Sequence, residues 1–294
     1  MNRLLVSVLL AGAAAAASAS DMLASPAWLK ENLADPKLVL FHVGAKADFD
    51  REHIPGAQLV TAQDLSIPKA ESALMLQLLP SEPLREKLQS LGVSDDSRVV
   101  VYFGTDQIAP ATRVYLSLDA AGLSDRTSVL DGGLPAWKAA GGGVTDAVRP
   151  GPVTPGRITV TPHPEVVIER NEVLEGLGKA GLDVIDARAP EFFDGTSAGA
   201  MPRAGRIPGA RNIPISTLTT SELKLKTDAE LGDIFKAAGV KPGDTVASYC
   251  HSGQMATVVY FSARRLGIKA RVYDGSWDEW SRRDELPIET GPVK

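Results

Sequence analysis

The chain has one cysteine, Cys250, among its 294 residues. A lone thiol closes no internal disulfide, so the fold must be held by its apolar core. Basic clusters are missing as well. The formal net charge is −5 and no run of lysine and arginine stands out, which argues against nucleic acid and anionic membrane surfaces as partners. After the N-terminal segment no apolar stretch is long enough to span a bilayer. No group of His, Cys, Asp and Glu has the spacing of a metal site, and no low-complexity tract interrupts the chain. What is present is an ordinary globular composition, 44% hydrophobic and 23% charged. The length suggests two domains of roughly 150 residues each.

The first residues are a targeting signal rather than fold. Met1-Asn2-Arg3 is a short positive head, residues 4–17 are apolar and alanine-rich, and Ala17-Ser18-Ala19 fits a small-residue cleavage rule. Residues 1–19 are therefore expected to be a secretory signal peptide. The product would be exported, periplasmic in a Gram-negative source, with no membrane attachment after cleavage.

The remaining chain repeats itself. His53-Ile54-Pro55-Gly56-Ala57 returns as Arg206-Ile207-Pro208-Gly209-Ala210. Val99-Val100-Val101-Tyr102 returns as Val246-Ala247-Ser248-Tyr249. Leu130-Asp131-Gly132-Gly133-Leu134-Pro135-Ala136-Trp137 returns as Tyr273-Asp274-Gly275-Ser276-Trp277-Asp278-Glu279-Trp280. Three matches in one order at nearly one offset mark two copies of a single unit. Each copy alternates strand and helix patterns. In the first, 38–43 and 98–103 read as strands and 84–91 and 114–121 as helices, each helix followed by glycine. In the second, 183–186, 245–249 and 270–273 read as strands and 228–238 as a helix. Such alternation predicts an α/β fold with mostly parallel sheets covered by helices on both faces. The glycine and proline tract between the copies gives domains at 20–143 and 166–294, joined by a linker at 144–165.

Cys250 follows the apolar run 245–249 and precedes a helical pattern over 256–266. A thiol at a strand-to-helix turn sits where free N–H groups converge and the helix dipole is positive, and both favour thiolate. In parallel sheets ligands bind beyond the carboxyl ends of the strands, where this residue falls. The alternative is a buried structural cysteine. Ser252 fits either a hydroxyl donor to an anion or the N-cap of the next helix. Gly253 lets the loop curl. Gln254 and Met255 complete the loop, their backbone mattering more than their side chains.

These elements together resemble the two-domain rhodanese sulfurtransferases. The resemblance rests on the His53 and Arg206 elements, Asp186-Ala187-Arg188, Cys250-His251-Ser252-Gly253, Leu130 to Trp137 and Tyr273 to Trp277, and it covers nearly the whole mature chain. It implies two tandem rhodanese-like domains. It also implies transfer of a sulfane sulfur from a small donor to cyanide or a thiol through a Cys250 persulfide, with no other cofactor and no metal. In the same terms Arg188 binds the donor's anionic group, against an alternative in which it pairs with Asp186 or Glu191. Substrate contacts are expected from His251, Ser252, Gly253, Gln254 and Met255, support from Asp186 and Arg203, with Arg211 a secondary candidate. The first copy carries Phe103 where the second has Cys250, and His42 and Gly44 where it has Asp186 and Arg188, so it reads as a catalytically degenerate partner. The loop departs from the mercaptopyruvate pattern Cys-Gly-Ser-Gly-Val-Thr, and from the Arg and Lys of vertebrate-like thiosulfate enzymes. Thiosulfate is expected to be preferred, helped by a His251 that gains charge as pH falls through about 6.5. A phosphatase with Cys-x5-Arg is disfavoured because Ala256 stands where that arginine belongs. A sulfur-carrying module without catalysis is the remaining alternative.

Overall fold

The computed structural model describes residues 22–292, apart from 105–106, 148–150 and 152; the segment read as a signal peptide lies outside the described residues. The first copy runs β1 (Leu23–Ala24), α1 (Pro26–Asn32), β2 (Leu38–Val43), α2 (Lys46–Arg51), β3 (Gln58–Val60), α3 (Ser81–Ser90), β4 (Arg98–Phe103), α4 (Ala109–Ala120), β5 (Thr127–Leu130) and α5 (Gly133–Ala139). The second runs β6 (Val167–Ile168), α6 (Arg170–Gly176), β7 (Leu182–Asp186), α7 (Pro190–Phe193), β8 (Arg211–Asn212), α8 (Asp228–Ala237), β9 (Thr245–Tyr249), α9 (Ala256–Arg265), β10 (Lys269–Tyr273) and α10 (Ser276–Ser281). Each copy forms a five-stranded sheet, ordered β1-β5-β4-β2-β3 and β6-β10-β9-β7-β8, and every pairing within them is parallel. The two orders are the same order, as a duplicated unit requires.

Strand register fixes which residues correspond. In the first sheet His42 pairs with Tyr102 and Val43 with Phe103. In the second Asp186 pairs with Tyr249. Tyr102 and Tyr249 also do the same work: their hydroxyls accept the amides of Ile54 (3.0 Å) and Ile207 (3.2 Å), tying each Ile-Pro-Gly turn to the central strand. Phe103 therefore occupies the place of Cys250, and His42 the place of Asp186. Helix α4 begins earlier than the apolar spacing predicts, because Pro110 is accommodated in its first turn.

The two copies share one core. Apolar side chains from both sheets and from α4 and α9 form a single cluster, and each copy has a smaller cluster on its outer face. At the centre of the seam the hydroxyls of Thr112 and Thr257 lie 2.7 Å apart. Tyr115 meets Phe261 edge to face at 4.8 Å. Tyr260 donates to buried Asp119 at 2.6 Å, with Arg264 3.4 Å away. Loops cross the seam reciprocally: Leu78 N–H donates to Asp274 (2.7 Å) and Leu225 N–H to Asp131 (3.1 Å). Leu76 and Leu223 both hold positive φ, 55° and 61°, in these matching loops. The segment after 152 lies along the first copy, with Gly156 N–H on Gln89 and Thr159 N–H on Asp95.

Replacing Tyr260 with Phe removes the hydroxyl that satisfies a buried carboxylate, and should lower stability by about 1–3 kcal/mol in denaturant unfolding. Unchanged stability in Tyr260→Phe would show that the seam does not depend on this bond.

Candidate active site

Cys250 leaves the end of β9 fully buried, and α9 starts six residues later at Ala256. The intervening loop wraps the sulfur in backbone donors: burial pushes the thiol pKa up, while the N–H groups of Ala256, Ser252 and Met255 pull it down. Burial wins, so the net direction is upward and the resting group is a thiol. The sequence led to the expectation that the turn favours thiolate, and burial acts against that pull. The amides are placed as predicted, but the protein excludes the water that would solvate the charge.

The loop is clamped from below by the turn into α10. Cys250 N–H donates to Ser276 Oγ (3.2 Å), Ser276 Oγ donates to the Tyr273 carbonyl (2.8 Å), and the Cys250 and His251 carbonyls accept Trp277 and Asp278 N–H groups, both at 2.9 Å. Ser276 adopts φ +52°, a region a side chain seldom enters. Its counterpart in the first copy is Gly133 at φ +57°, where a Cβ would meet the Phe103 ring at 2.7 Å. The backbone is thus common to both copies, and only the copy with the small thiol has room for the clamping hydroxyl.

Gly253 holds φ +79°, and a Cβ there would lie 2.9 Å from the Asp274 carbonyl and 3.2 Å from Arg113 Nη1. Asp274 Oδ1 accepts from Arg113 Nη1 at 2.5 Å, and Arg113 also donates to the Leu76 carbonyl. Arg113 comes from α4 of the first copy and is 1% exposed. The degenerate domain therefore supplies a charge beside the catalytic loop. Sequence reasoning missed Arg113, Asp274 and Ser276; the available signal was an arginine in the middle of an otherwise apolar helix pattern.

Ser252 does not cap α9, since Met255 holds that position without a side-chain cap. The Gln254 carbonyl accepts Thr257 Oγ1 at 2.6 Å, and Met255 packs partly against the shared core. His251 meets Phe192 edge to face at 4.7 Å. Burial and then the nearby Arg188 charge push its pKa below the ordinary value, against a smaller opposite pull from Asp186. The charged imidazole is therefore disfavoured, and its titration is moved below the value expected from the sequence.

Arg188 is 1% exposed and locked to Asp186: Nε lies 2.9 and 3.1 Å from the two carboxylate oxygens and Nη2 2.6 Å from one. Nη2 also donates to the Gly205 carbonyl at 2.7 Å, and the guanidinium lies 4.6 Å from the Trp277 ring centre. Of the two arrangements foreseen, the Asp186 pair is the one present, and Nε and Nη2 are engaged within the protein. Asp186 Oδ1 also accepts Arg188 N–H at 2.9 Å, within its own loop. Arg203 is likewise structural, its guanidinium spread over the Ser281, Leu286, Trp280 and Arg283 carbonyls beyond α10. Arg211 pairs with Asp183 at 2.5 Å, away from the thiol. Among the described residues no group of His, Cys, Asp and Glu could hold a metal, and no helix is long and apolar enough to cross a membrane.

The sequence profile of the rhodanese-like domain matches residues 25–140 and 169–283. The chain belongs to the rhodanese family. Its similarity to curated members runs nearly end to end. The 3-mercaptopyruvate sulfurtransferase of Escherichia coli K12 is 31% identical over 280 residues, covering 91% of this chain and 96% of that one. SseB of Mycobacterium tuberculosis H37Rv, assigned in name to thiosulfate, is 32% identical over 244 residues, covering 81% and 84%. Among solved structures, EanB in complex with ergothioneine superimposes with a TM-score of 0.83 at 25% identity, over 93% of this chain and 71% of that one. The crystal structure of YnjE gives 0.83 at 24%, over 92% and 69%, a likeness of fold. Family and relatives support sulfurtransferase function here and leave the donor undivided between thiosulfate and 3-mercaptopyruvate.

Two outcomes follow from the geometry. Arg188→Ala strands a buried carboxylate and should destabilise by about 3–5 kcal/mol, with Asp186→Ala/Arg188→Ala recovering part of the loss. A melting temperature unchanged in the single variant would refute the pair's importance. Alkylation of Cys250 by iodoacetamide should be slow and still climbing with pH at about 8.5, the ordinary thiol value. A plateau already reached at pH 7 would mean that the amides overcome burial.

Proposed function

We propose that this protein is an exported sulfurtransferase that moves a sulfane sulfur from thiosulfate to cyanide or a thiol through a persulfide on Cys250. The observation that carries the reading is the single thiol of the chain, held at the end of β9 with the Ala256, Ser252 and Met255 amides turned toward it. The Cys250 sulfur attacks the outer sulfur of thiosulfate, a new S–S bond forms, and sulfite leaves with the electron pair of the old one, taking up the thiol proton as hydrogensulfite. The acceptor then attacks the terminal sulfur, and the S–S electron pair returns to Cys250 as thiolate. The loop amides act where negative charge gathers on sulfur in both steps, and they are fixed before the reaction begins. Arg188 contributes its charge from behind the loop rather than a fork at the donor.

Thiosulfate is favoured over 3-mercaptopyruvate on two grounds. The loop Cys250-His251-Ser252-Gly253-Gln254-Met255 lacks the second-position Gly and the Val-Thr ending of the mercaptopyruvate pattern. In addition, Arg188 is committed to Asp186 and so does not offer a bidentate grip to a carboxylate, whereas a compact dianion needs only a cluster of N–H groups. Secretion rests on residues 1–19.

Cys250→Ser should abolish thiocyanate production from thiosulfate and cyanide while the protein stays folded. Wild type treated with thiosulfate alone should gain one sulfur by mass spectrometry; substantial activity in the variant, or no added sulfur, refutes the covalent mechanism. In a comparison of kcat/KM for the two donors with cyanide fixed, thiosulfate should be preferred. Because burial lowers the His251 pKa, growth of that preference should set in at a lower pH than an ordinary imidazole would give, about 6.5. Better use of 3-mercaptopyruvate throughout would reverse the donor assignment.

A further inference from the structure

At the end of each central strand away from the thiol site, two helices finish on glycines that flank a short loop. In the first copy these are Gly92 after α3, Gly122 after α4 and the loop 94–97 before β4. In the second they are Gly239 after α8, Gly267 after α9 and the loop 241–244 before β9. All four glycines hold positive φ, between 73° and 84°. Only the first copy's version is covered, by the segment 153–161. A Cβ on Gly122 would stand 2.1 Å from the Thr161 carbonyl oxygen, and one on Gly92 2.9 Å from Val153 Cγ1. A Cβ on Gly267 meets nothing within 4 Å. In the covered copy Val93 and Leu123 are 0% and 1% exposed, and Ile158 of the covering segment joins the shared core. The counterparts of Val93 and Leu123, Val240 and Ile268, are only partly buried. Together with Phe235 they line an open cleft of about 520 Å³.

The polar groups around the two surfaces differ in kind. In the first copy acceptors hold the amides of the covering segment. Gln89 Oε1 takes Ile158 N–H at 2.9 Å, Ser94 Oγ takes Arg157 N–H at 3.0 Å and Asp95 Oδ1 takes Thr159 N–H at 2.8 Å. The second copy has Lys236, Lys241 and Pro242 at those positions, and none of these side chains can accept a hydrogen bond. Lys269 adds a third ammonium to the lining, against one carboxylate, Asp244. None of the three lysines has a carboxylate partner among the described residues. In a chain of net charge −5 this is a local excess of positive charge beside an apolar floor. We infer that the cleft is a docking site for an extended segment of a partner protein, with one aliphatic side chain seated on Phe235, Val240 and Ile268 and flanking carboxylates on the lysines. The first copy shows the shape of the occupant, and the lysines set its charge. Cys250, at the other end of β9, plays no part in it.

Fluorescence anisotropy on the full chain tests this with a labelled peptide of residues 153–161 carrying Arg157→Glu and Thr159→Glu. One saturable site is expected, weakened by added salt. The unaltered 153–161 peptide, with its arginine in place, should bind about tenfold more weakly. The acidic peptide with a further Ile158→Ser loses its anchor and should also bind about tenfold more weakly. Lys236→Glu/Lys241→Glu in the protein should weaken the acidic peptide about tenfold and leave sulfur transfer, at the far end of β9, unchanged. The peptide controls leave the protein untouched, so they decide if that variant fails to fold. Absence of saturable binding overturns the inference. So does equal affinity of the Ile158→Ser peptide, or undiminished binding to the double variant. Octanoate displacing the peptide at equal concentration would make the cleft a site for a small amphiphile. A dimer in sedimentation that the double variant abolishes would make a second copy the occupant. Either result overturns the assignment to a partner protein.

Discussion

The seam between α4 and α9 is the constraint on which the rest of the molecule depends. Neither copy has a complete core of its own, because the central apolar cluster draws side chains from both sheets and both helices. The buried Arg113–Asp274 pair extends that dependence into the catalytic loop. Taking two charges out of water is expensive, and such a pair is retained only where geometry and further hydrogen bonds satisfy both ends. Here Asp274 also accepts Leu78 N–H and Arg113 also bonds the Leu76 carbonyl, so helix α4 and the 76–78 loop of the first copy are both fixed against one turn of the second. Without the first copy Asp274 would lose its Arg113 partner beside Gly253.

Duplication makes the chemical differences readable as single changes on a common backbone. At one position a thiol faces the turn and leaves room for Ser276; at the other, Phe103 fills the space and only glycine fits. At the next, Asp186 and Arg188 form a buried ion pair where the first copy has His42 and Gly44. One replacement exchanges a satisfied charge pair for a ring whose Nε2 has no hydrogen-bond partner.

Much of the fold was legible because strand and helix periods are local properties of the chain. Leu38–Val43, Arg98–Phe103 and Thr245–Tyr249 lie where alternation of apolar runs with glycine and proline placed them, and the repeat anticipated one strand order used twice. Cys250 was legible for a similar reason: a thiol between a strand and a helix pattern is a positional signal. The ionisation states were not legible. His251 and Cys250 are both displaced by burial, which depends on what packs over the loop from distant parts of the chain. Arg113 was hidden for the same reason, since its partners Leu76 and Asp274 come from different segments and no spacing announces them.

Burial and the amide nest act in opposite directions on Cys250, and the opposition has a use. Desolvation penalises charge at rest, when nothing but the loop surrounds the sulfur. A neutral, enclosed thiol is also a poor target for oxidants, whose attack follows thiolate character and exposure. The amides do not disappear because burial outweighs them in the resting protein. In a water-poor site each fixed N–H is worth more to a developing negative charge than it would be in solvent, and it needs no reorganisation when that charge arrives. A donor that enters the loop brings its negative charge and leaving sulfur under the same amides, so that stabilisation is delivered during transfer rather than spent beforehand on a standing thiolate. The chain thus protects its single thiol with the same burial that makes the loop amides effective.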